Sequence, residues 1–445
     1  MREKSKKQLP LMNPAVDHPQ ARELESISLI LDQEITIVDI VHQDLCQGRP
    51  KATGACGMSA EQVLRAAIVK QMFGFSYELL PFHLADSNSL QRFCRIGIAG
   101  RSFKKSALAK NIKRISSKAW EQINRILTVR GKQENIEKGR QVRIDCTVVE
   151  SNIHEPADSA LLYDSVRVLT RILGSVRESG ISVRFTDHCR RAKRRMLAVQ
   201  YAKSQKNRTT AYRDLLKVAG KTVGYAAAAI PQAKGTGGLE AIAFCARLQE
   251  YIDLARKVID QTERRVLKGE KVEAADKIVS IFEPHTDIII KDRRDTYYGH
   301  KACLCVGASN LITDCVITEG NPADTSLTTT MLDRQQEIYG RYPLKAALDG
   351  GFASKDNLAE AKQRQIKDVC FAKKRGLTVE NMCRSQWVYN RLRRFRAGVE
   401  SIISWIKRCF GFDRCTWKGR RSFESYAWLS VVTANLITLA RAKPA

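Results

Sequence analysis

From about Glu23 to Leu127, apolar positions recur every three or four residues, which predicts a run of helices. Within that run Ser59 is followed three residues later by Gln62, the signature of a capping box. The predicted helix spans Ala60–Phe73, with Val63, Ala67, Ile68 and Met72 as its apolar stripe. At Gln141 the period drops to two. Val142, Ile144, Cys146 and Val148 alternate with Arg143, Asp145, Thr147 and Val149, a strand rich in β-branched residues. Helical spacing resumes after Pro156-Ala157-Asp158-Ser159, and Phe244, Leu248, Tyr251, Ala255, Val258 and Thr262 form one packed seam. Strand character returns at Asp287–Lys291. Lys301–Val306 and Leu311–Thr318 then predict a hairpin around Ser309-Asn310. Leu344–Leu348 predicts a short strand ending on Asp349-Gly350-Gly351, with Ser354 capping the next helix, and Val369–Ala372 predicts another strand. From Gln386 the pattern is helical to the C-terminus.

Strands, then a strand–Gly–helix unit, then helices argue for an α/β core with a mixed sheet. An all-α region precedes it and a second helical stretch interrupts it. The expected layout is a flexible arm over 1–20, a helical N-terminal domain over 21–135, the α/β core over 136–157 and 278–440, and an inserted helical subdomain over 158–277. A length of 445 residues suits this layout, at roughly 100–200 residues per domain.

Composition changes the picture through charge. Apolar residues at 44% and charged residues at 27% exclude wholesale disorder. The 75 Lys+Arg against 47 Asp+Glu leave +28, which points to a polyanionic partner, and nucleic acid is the commonest. Arg101–Arg114 carries six Lys/Arg and no acid; a helix laid along DNA and a solvated basic face both fit it. Arg184–Lys221 holds 12 Lys/Arg against two Asp, a density that favours phosphate contact. The longest uncharged run, Ser425–Ala440, is shorter than the ~20 residues of a spanning helix, so a buried helix is expected and a membrane partner is not. No apolar segment follows the charged N-terminus, so no secretory signal is read. Thirteen cysteines without a CxxC pair read as reduced thiols of a cytoplasmic protein.

Three carboxylates stand out by position. Asp145 lies inside a strand, where an acid is costly unless paired or metal-bound. Asp349 ends a strand at a Gly-Gly turn, the edge where open α/β sheets place their sites. Glu400 falls in the helical stretch Arg391–Phe410. At ~100° per residue, Arg393, Arg396, Glu400 and Lys407 share one face, while Phe395, Val399, Ile402, Ile406 and Phe410 form a second that would pack on the sheet. Taken alone, Arg396 and Glu400 read as an exposed ion pair worth only ~0.3–0.5 kcal/mol.

The motifs together resemble those of insertion-sequence transposases of the DDE type, whose catalytic domain is retroviral-integrase-like, that is, RNase H-like. The resemblance is carried by Ile144–Val149, Asn152–Asp158, Tyr298-Gly299-His300-Lys301, Gly320–Asp324, Ala347–Ser354, Arg393–Ser401 and Ile403–Gly411. It is strong over 141–160 and 283–440 and weaker over 58–130. It implies that Asp145, Asp349 and Glu400 form an acidic triad, with Asp145 shared between two metals, Asp349 on one and Glu400 on the other. The family's helix signature, Tyr-x2-Arg-x3-Glu-x6-Lys, falls on 393, 396, 400 and 407. Arg393 stands where Tyr is usual, so phosphate contact is expected of Arg393 as well as of Arg396 and Lys407.

The implied chemistry is phosphodiester cleavage and strand transfer by two Mg2+ ions, with Mn2+ able to substitute, because hard divalent ions take carboxylate oxygens. The implied partners are double-stranded DNA, both the element's terminal inverted repeats and the target, and a second copy of the chain in a homodimer. The implied location is the cytoplasm, on a bacterial nucleoid. A metal-dependent nuclease without strand transfer, and a catalytically silent DNA-binding descendant, use the same residues and stay open. Asp158 and Asp324, each before a predicted helix, read as helix caps rather than triad members, and His300 as a packing or hydrogen-bonding residue.

Overall fold

The computed structural model describes residues 16–47, 57–97, 103–291 and 295–442. Residues 1–15 of the expected arm, together with Cys56, Arg101 and Ser102, lie outside them, and Pro19 already opens a helix. The chain divides into two compact units. One takes residues up to Val149, Lys301–Trp417 and those from Arg421 on; the other takes Glu150–His300 and Lys418–Arg420.

The first unit begins with α1 (Pro19–Gln33), α2 (Ile35–Cys46), α3 (Ala60–Met72), α4 (Leu79–Asp86), α5 (Asn88–Phe93), α6 (Lys105–Ile112) and α7 (Ser117–Gln133). The capping box at α3 forms as predicted. Ser59 Oγ accepts from Gln62 N at 3.1 Å, and Gln62 Oε1 accepts from Ser59 N at 3.1 Å. Lys70 of α3 is buried, with its ammonium 5.0 Å from the Tyr77 ring centroid and 5.9 Å from that of Tyr426. Burial, reinforced by the nearby charge of Lys113, pulls its pKa down to about 8.

After these helices comes β1 (Gln141–Glu150), and the chain enters the second unit with α8 (Asp158–Glu178), α9 (Cys189–Gln200), α10 (Gln205–Thr236) and α11 (Leu239–Thr262). Leu162, Leu173, Leu215, Leu248, Ile252 and Val258 are among the residues of its own apolar core. Asp158 is not a cap. Ala157 holds the cap position without a side-chain bond, and the Asp158 carboxylate takes Arg265 Nη1 at 2.8 Å and Gln261 Nε2 at 3.2 Å, tying the two ends of the bundle. A long cationic side chain arriving from α11's end outcompetes the local backbone for that carboxylate. This unit also holds β2 (Asp287–Lys291), antiparallel to the leading half of β3 (Asp295–Gly307), from Asp287↔Gly299 to Lys291↔Asp295. That pairing carries β3 back to Asp295, six residues before the predicted Lys301. Here His300 Nδ1 meets Asp287 Oδ2 at 2.8 Å and its Nε2 meets His285 Nδ1 at 2.7 Å, so His300 has the hydrogen-bonding role expected of it.

The rest of β3 returns to the first unit and turns at Asn310, φ +71°, into β4 (Ile312–Ile317). Then follow α12 (Thr328–Tyr339), β5 (Lys345–Leu348), α13 (Lys355–Gln363), β6 (Asp368–Phe371), α14 (Val379–Met382), α15 (Gln386–Phe410) and α16 (Arg420–Ala442). In this unit β4 pairs with β3, β3 neighbours β1, and β1, β5 and β6 are parallel, which makes a mixed sheet. Helices flank it: α15 packs on β5 and β6, and α7 and α12 on β4. Strand β3 is buried on both faces. Ala302, Leu304 and Val306 share a core with α1–α7 and α16, whereas Cys303 and Cys305 face Val142, Ile144 and Met331.

The apolar face of α15 divides between these two cores. Val399, Ile402, Ile406 and Phe410 join the helical core, and Val388, Tyr389 and Leu392 join the core under β5 and β6. One polar cluster is sealed inside. Asn435 of α16 accepts from Ile312 N at 2.9 Å and donates to Ile312 O at 2.7 Å and Asn124 Oδ1 at 2.6 Å. The uncharged run of α16 is buried, and among the described residues no helix is long and apolar enough to cross a membrane. The described cysteines are free.

Candidate active site

Register brings the first two acids together. Ile144 of β1 pairs with Leu348 of β5, so the next residues on two adjacent parallel strands are Asp145 and Asp349. Asp349 caps a single 3-10 turn, Gly350–Phe352. A Cβ on Gly350 would fall 2.7 Å from Lys373 Cβ, so this turn closes only with glycine there, and a Cβ on Gly351 would fall 2.6 Å from Asp324 Oδ2 and push that carboxylate aside. Asp324, read as a cap, is instead held by Lys301 Nζ at 2.8 Å, with Ala323 in the cap position. Again a cation brought from a distant strand takes the carboxylate.

The third acid arrives on α15. Arg396 Nη2 lies 2.7 Å from Asp349 Oδ1 and 3.1 Å from Asp145 Oδ2, while Nη1 lies 2.9 Å from Glu400 Oε1. The helical ion pair is therefore one edge of a cluster in which a single guanidinium touches three carboxylates. Asp145 and Arg396 are mostly covered, at 13% and 16% exposure, whereas Glu400 at 66% is open to solvent. The remaining Asp145 oxygen accepts from Cys146 N at 2.8 Å.

Two residues outside the motif set this geometry. Arg143, two residues before Asp145, is buried; its Nη1 donates to Phe395 O at 3.1 Å and its Nη2 to Asn310 Oδ1. Its guanidinium also lies 4.8 Å from the Phe395 ring centroid. Burial lowers its pKa and Glu137 opposes that shift. A Cβ on Gly398 would run into Arg143 Nη1, so glycine lets α15 close on β1 between Arg396 and Glu400. The signal for both was in the chain: a charged residue in a β-branched strand, and a glycine inside a long helix, where it costs about 1 kcal/mol relative to alanine.

Residues 258–436 match the family model described as the transposase DDE domain. The chain carries a DDE-type transposase domain. The match takes in Asp349, Arg396, Glu400 and Lys407, while Asp145 lies before it. No curated protein and no solved structure matches the chain.

The other two cations named by the helix signature stand apart from the cluster in this transposase domain. Arg393 is exposed, and Lys407 pairs with Asp413 at 3.3 Å. Cys370 in β6 offers no competing nucleophile, since burial pushes its thiol up to about 12 while Arg393 and Arg396 pull only weakly the other way. Among the described residues, no three His, Cys, Asp or Glu side chains are gathered as a metal site; Asp145, Asp349 and Glu400 close on Arg396 rather than on one another. The donor set still suits a hard divalent cation. Three carboxylates and one guanidinium carry −3 + 1 = −2 formal charges, all of the anionic atoms being oxygen.

Proposed function

We propose that the protein is an insertion-sequence transposase that cuts and joins the ends of its element, with Asp145, Asp349 and Glu400 as the catalytic and metal-holding residues of an RNase H-like core. One observation carries this reading: three carboxylates from β1, the end of β5 and α15 converge on one cation, inside a chain that matches the transposase DDE domain. The three would hold Mg2+, or Mn2+ in its place. Such ions supply a water made nucleophilic near neutral pH and charge stabilisation for the departing oxygen. Arg396 grips a DNA phosphate through its two-pronged guanidinium, and Arg393 and Lys407 hold neighbouring phosphates along the same helix. The helices over 21–135 recognise the terminal inverted repeats. The insertion over 158–277 contacts DNA or the second subunit of a homodimer; its α9 presents Arg190, Lys193 and Arg194 to solvent, while Asp214 holds Arg191 and Arg195. The work is done in the cytoplasm, on the nucleoid.

The test uses DNA bearing the element's own ends, taken from either side of the gene. Wild-type chain and Glu400→Gln are incubated with it in Mg2+ and in EDTA, and nicked and joined products are resolved. Joined, Mg2+-dependent products that vanish in the mutant support transposition. Nicks without joining would reduce the protein to a nuclease, and end-specific binding without cleavage would make it a silent descendant.

A further inference from the structure

We infer that Arg396 is an internal counter-ion of the acidic triad, which must leave before a divalent cation can enter, and that a DNA phosphate is the ligand that draws it out. The inference rests on the triad reading above and adds its regulation. The guanidinium occupies the space the three carboxylates share, at 2.7, 2.9 and 3.1 Å, so it and a metal ion are alternatives for the same oxygens. It is also incompletely satisfied there: Arg396 Nε is buried and has no hydrogen-bond partner. The side chain is long and sits one turn from Glu400 on the same helix, so a change of rotamer moves it without moving α15. Phosphate offers the fork the same bidentate geometry as a carboxylate.

Two consequences follow from linkage. DNA binding that engages Arg396 uncovers the triad and tightens metal binding, and metal binding tightens DNA binding by the same factor. The chain thus holds its metal weakly when no DNA is present, because the guanidinium occupies the oxygens that a metal would take.

The test measures Mn2+ binding to the full chain by the electron paramagnetic resonance signal of free Mn2+. It is done with and without a short DNA duplex, whose own uptake is measured separately. Four proteins are compared: wild type, Arg396→Gln, Asp349→Asn, and Arg394→Gln as a control that removes an exposed charge nearby. Wild type is expected to bind Mn2+ weakly alone and about 5- to 150-fold more tightly with the duplex, the ordinary range of site-to-site coupling. Arg396→Gln is expected to bind Mn2+ alone at least about tenfold more tightly than wild type, with most of the duplex effect gone, and Arg394→Gln to behave as wild type. Far-UV circular dichroism checks that each is folded. An Arg396→Gln affinity equal to or below wild type in a folded protein, or a duplex without effect on wild type, overturns the inference. If Asp349→Asn binds Mn2+ as wild type does, the triad reading itself fails; if it binds weakly while Arg396→Gln is unchanged, only the counter-ion role falls.

Discussion

Asp145 and Asp349 share one cationic nitrogen, Arg396 Nη2, which donates to Asp145 Oδ2 at 3.1 Å and pairs ionically with Asp349 Oδ1 at 2.7 Å. Two carboxylates on neighbouring strands repel each other, and a mostly covered guanidinium between them removes that cost. Where Arg396 and Glu400 meet these two acids depends on how α15 is seated against β1, and that seating rests on a few contacts that can be altered singly.

Gly398→Ala is expected to lower end cleavage at least about tenfold, since a small misplacement of catalytic groups costs that much or more. The added methyl group meets Arg143 Nη1, which is pinned by Phe395 O and Asn310, so α15 shifts with Arg396 and Glu400 on it. Thermal unfolding should drop only modestly. Cleavage at the wild-type rate would show that the closeness of α15 to β1 has no bearing on the chemistry.

Replacing Asn435 by Leu strips the partners of Ile312 N and Asn124 Oδ1 in a sealed core, while Ile312 O keeps Asn124 Nδ2 at 3.3 Å. Buried polar groups left unpaired cost about 1–3 kcal/mol each, so a loss on the order of 3 kcal/mol is expected in denaturant unfolding. A change under about 0.5 kcal/mol, the scatter of ordinary surface substitutions, would mean that water or another group takes over.

Lys70 makes stability depend on pH. Its folded pKa, about 8, lies below the ordinary 10.5, so between these values the unfolded chain binds more protons and stability climbs as pH rises. Lys70→Met is therefore expected to stabilise at pH 7 by on the order of 2 kcal/mol and to gain little above pH 10.5. Unfolding curves for the two proteins that stay parallel from pH 7 to 10.5 would contradict this.

Ser59→Ala removes half of the capping box at α3 and should cost about 1 kcal/mol, read as a lower midpoint of thermal unfolding. Ser59→Asp, which keeps an acceptor at the cap, should restore most of it.

Local pattern carried much of this architecture. The period-two run at β1 and the Gly-Gly turn after Leu348 placed Asp145 and Asp349 at strand positions, because alternation and turn chemistry are properties of neighbouring residues. Strand order is not such a property. That β1 lies beside β5, with Ile144 opposite Leu348, follows from how the sheet assembles, and so the bridging of three acids by Arg396 was hidden while its pairing with Glu400 was plain. The same distance effect misled the reading of Asp158 and Asp324. Each has the local setting of a cap, and each is claimed by a cation from elsewhere in the chain, Arg265 in one case and Lys301 in the other. The face of α15 was legible, but its division between two cores was not, since nothing within the helix says where one neighbour ends and the next begins.

The core that α1–α7 share with β3 and α16 bears on how such a protein can change over time. Residues from the first and last helices interlock there, so a swap of the N-terminal helices alone would strand apolar surface on both pieces. On the proposed reading, in which these helices recognise the element's ends, new end specificity comes by substitution on exposed faces, or by exchange of the whole unit, rather than by trading a detachable reading head.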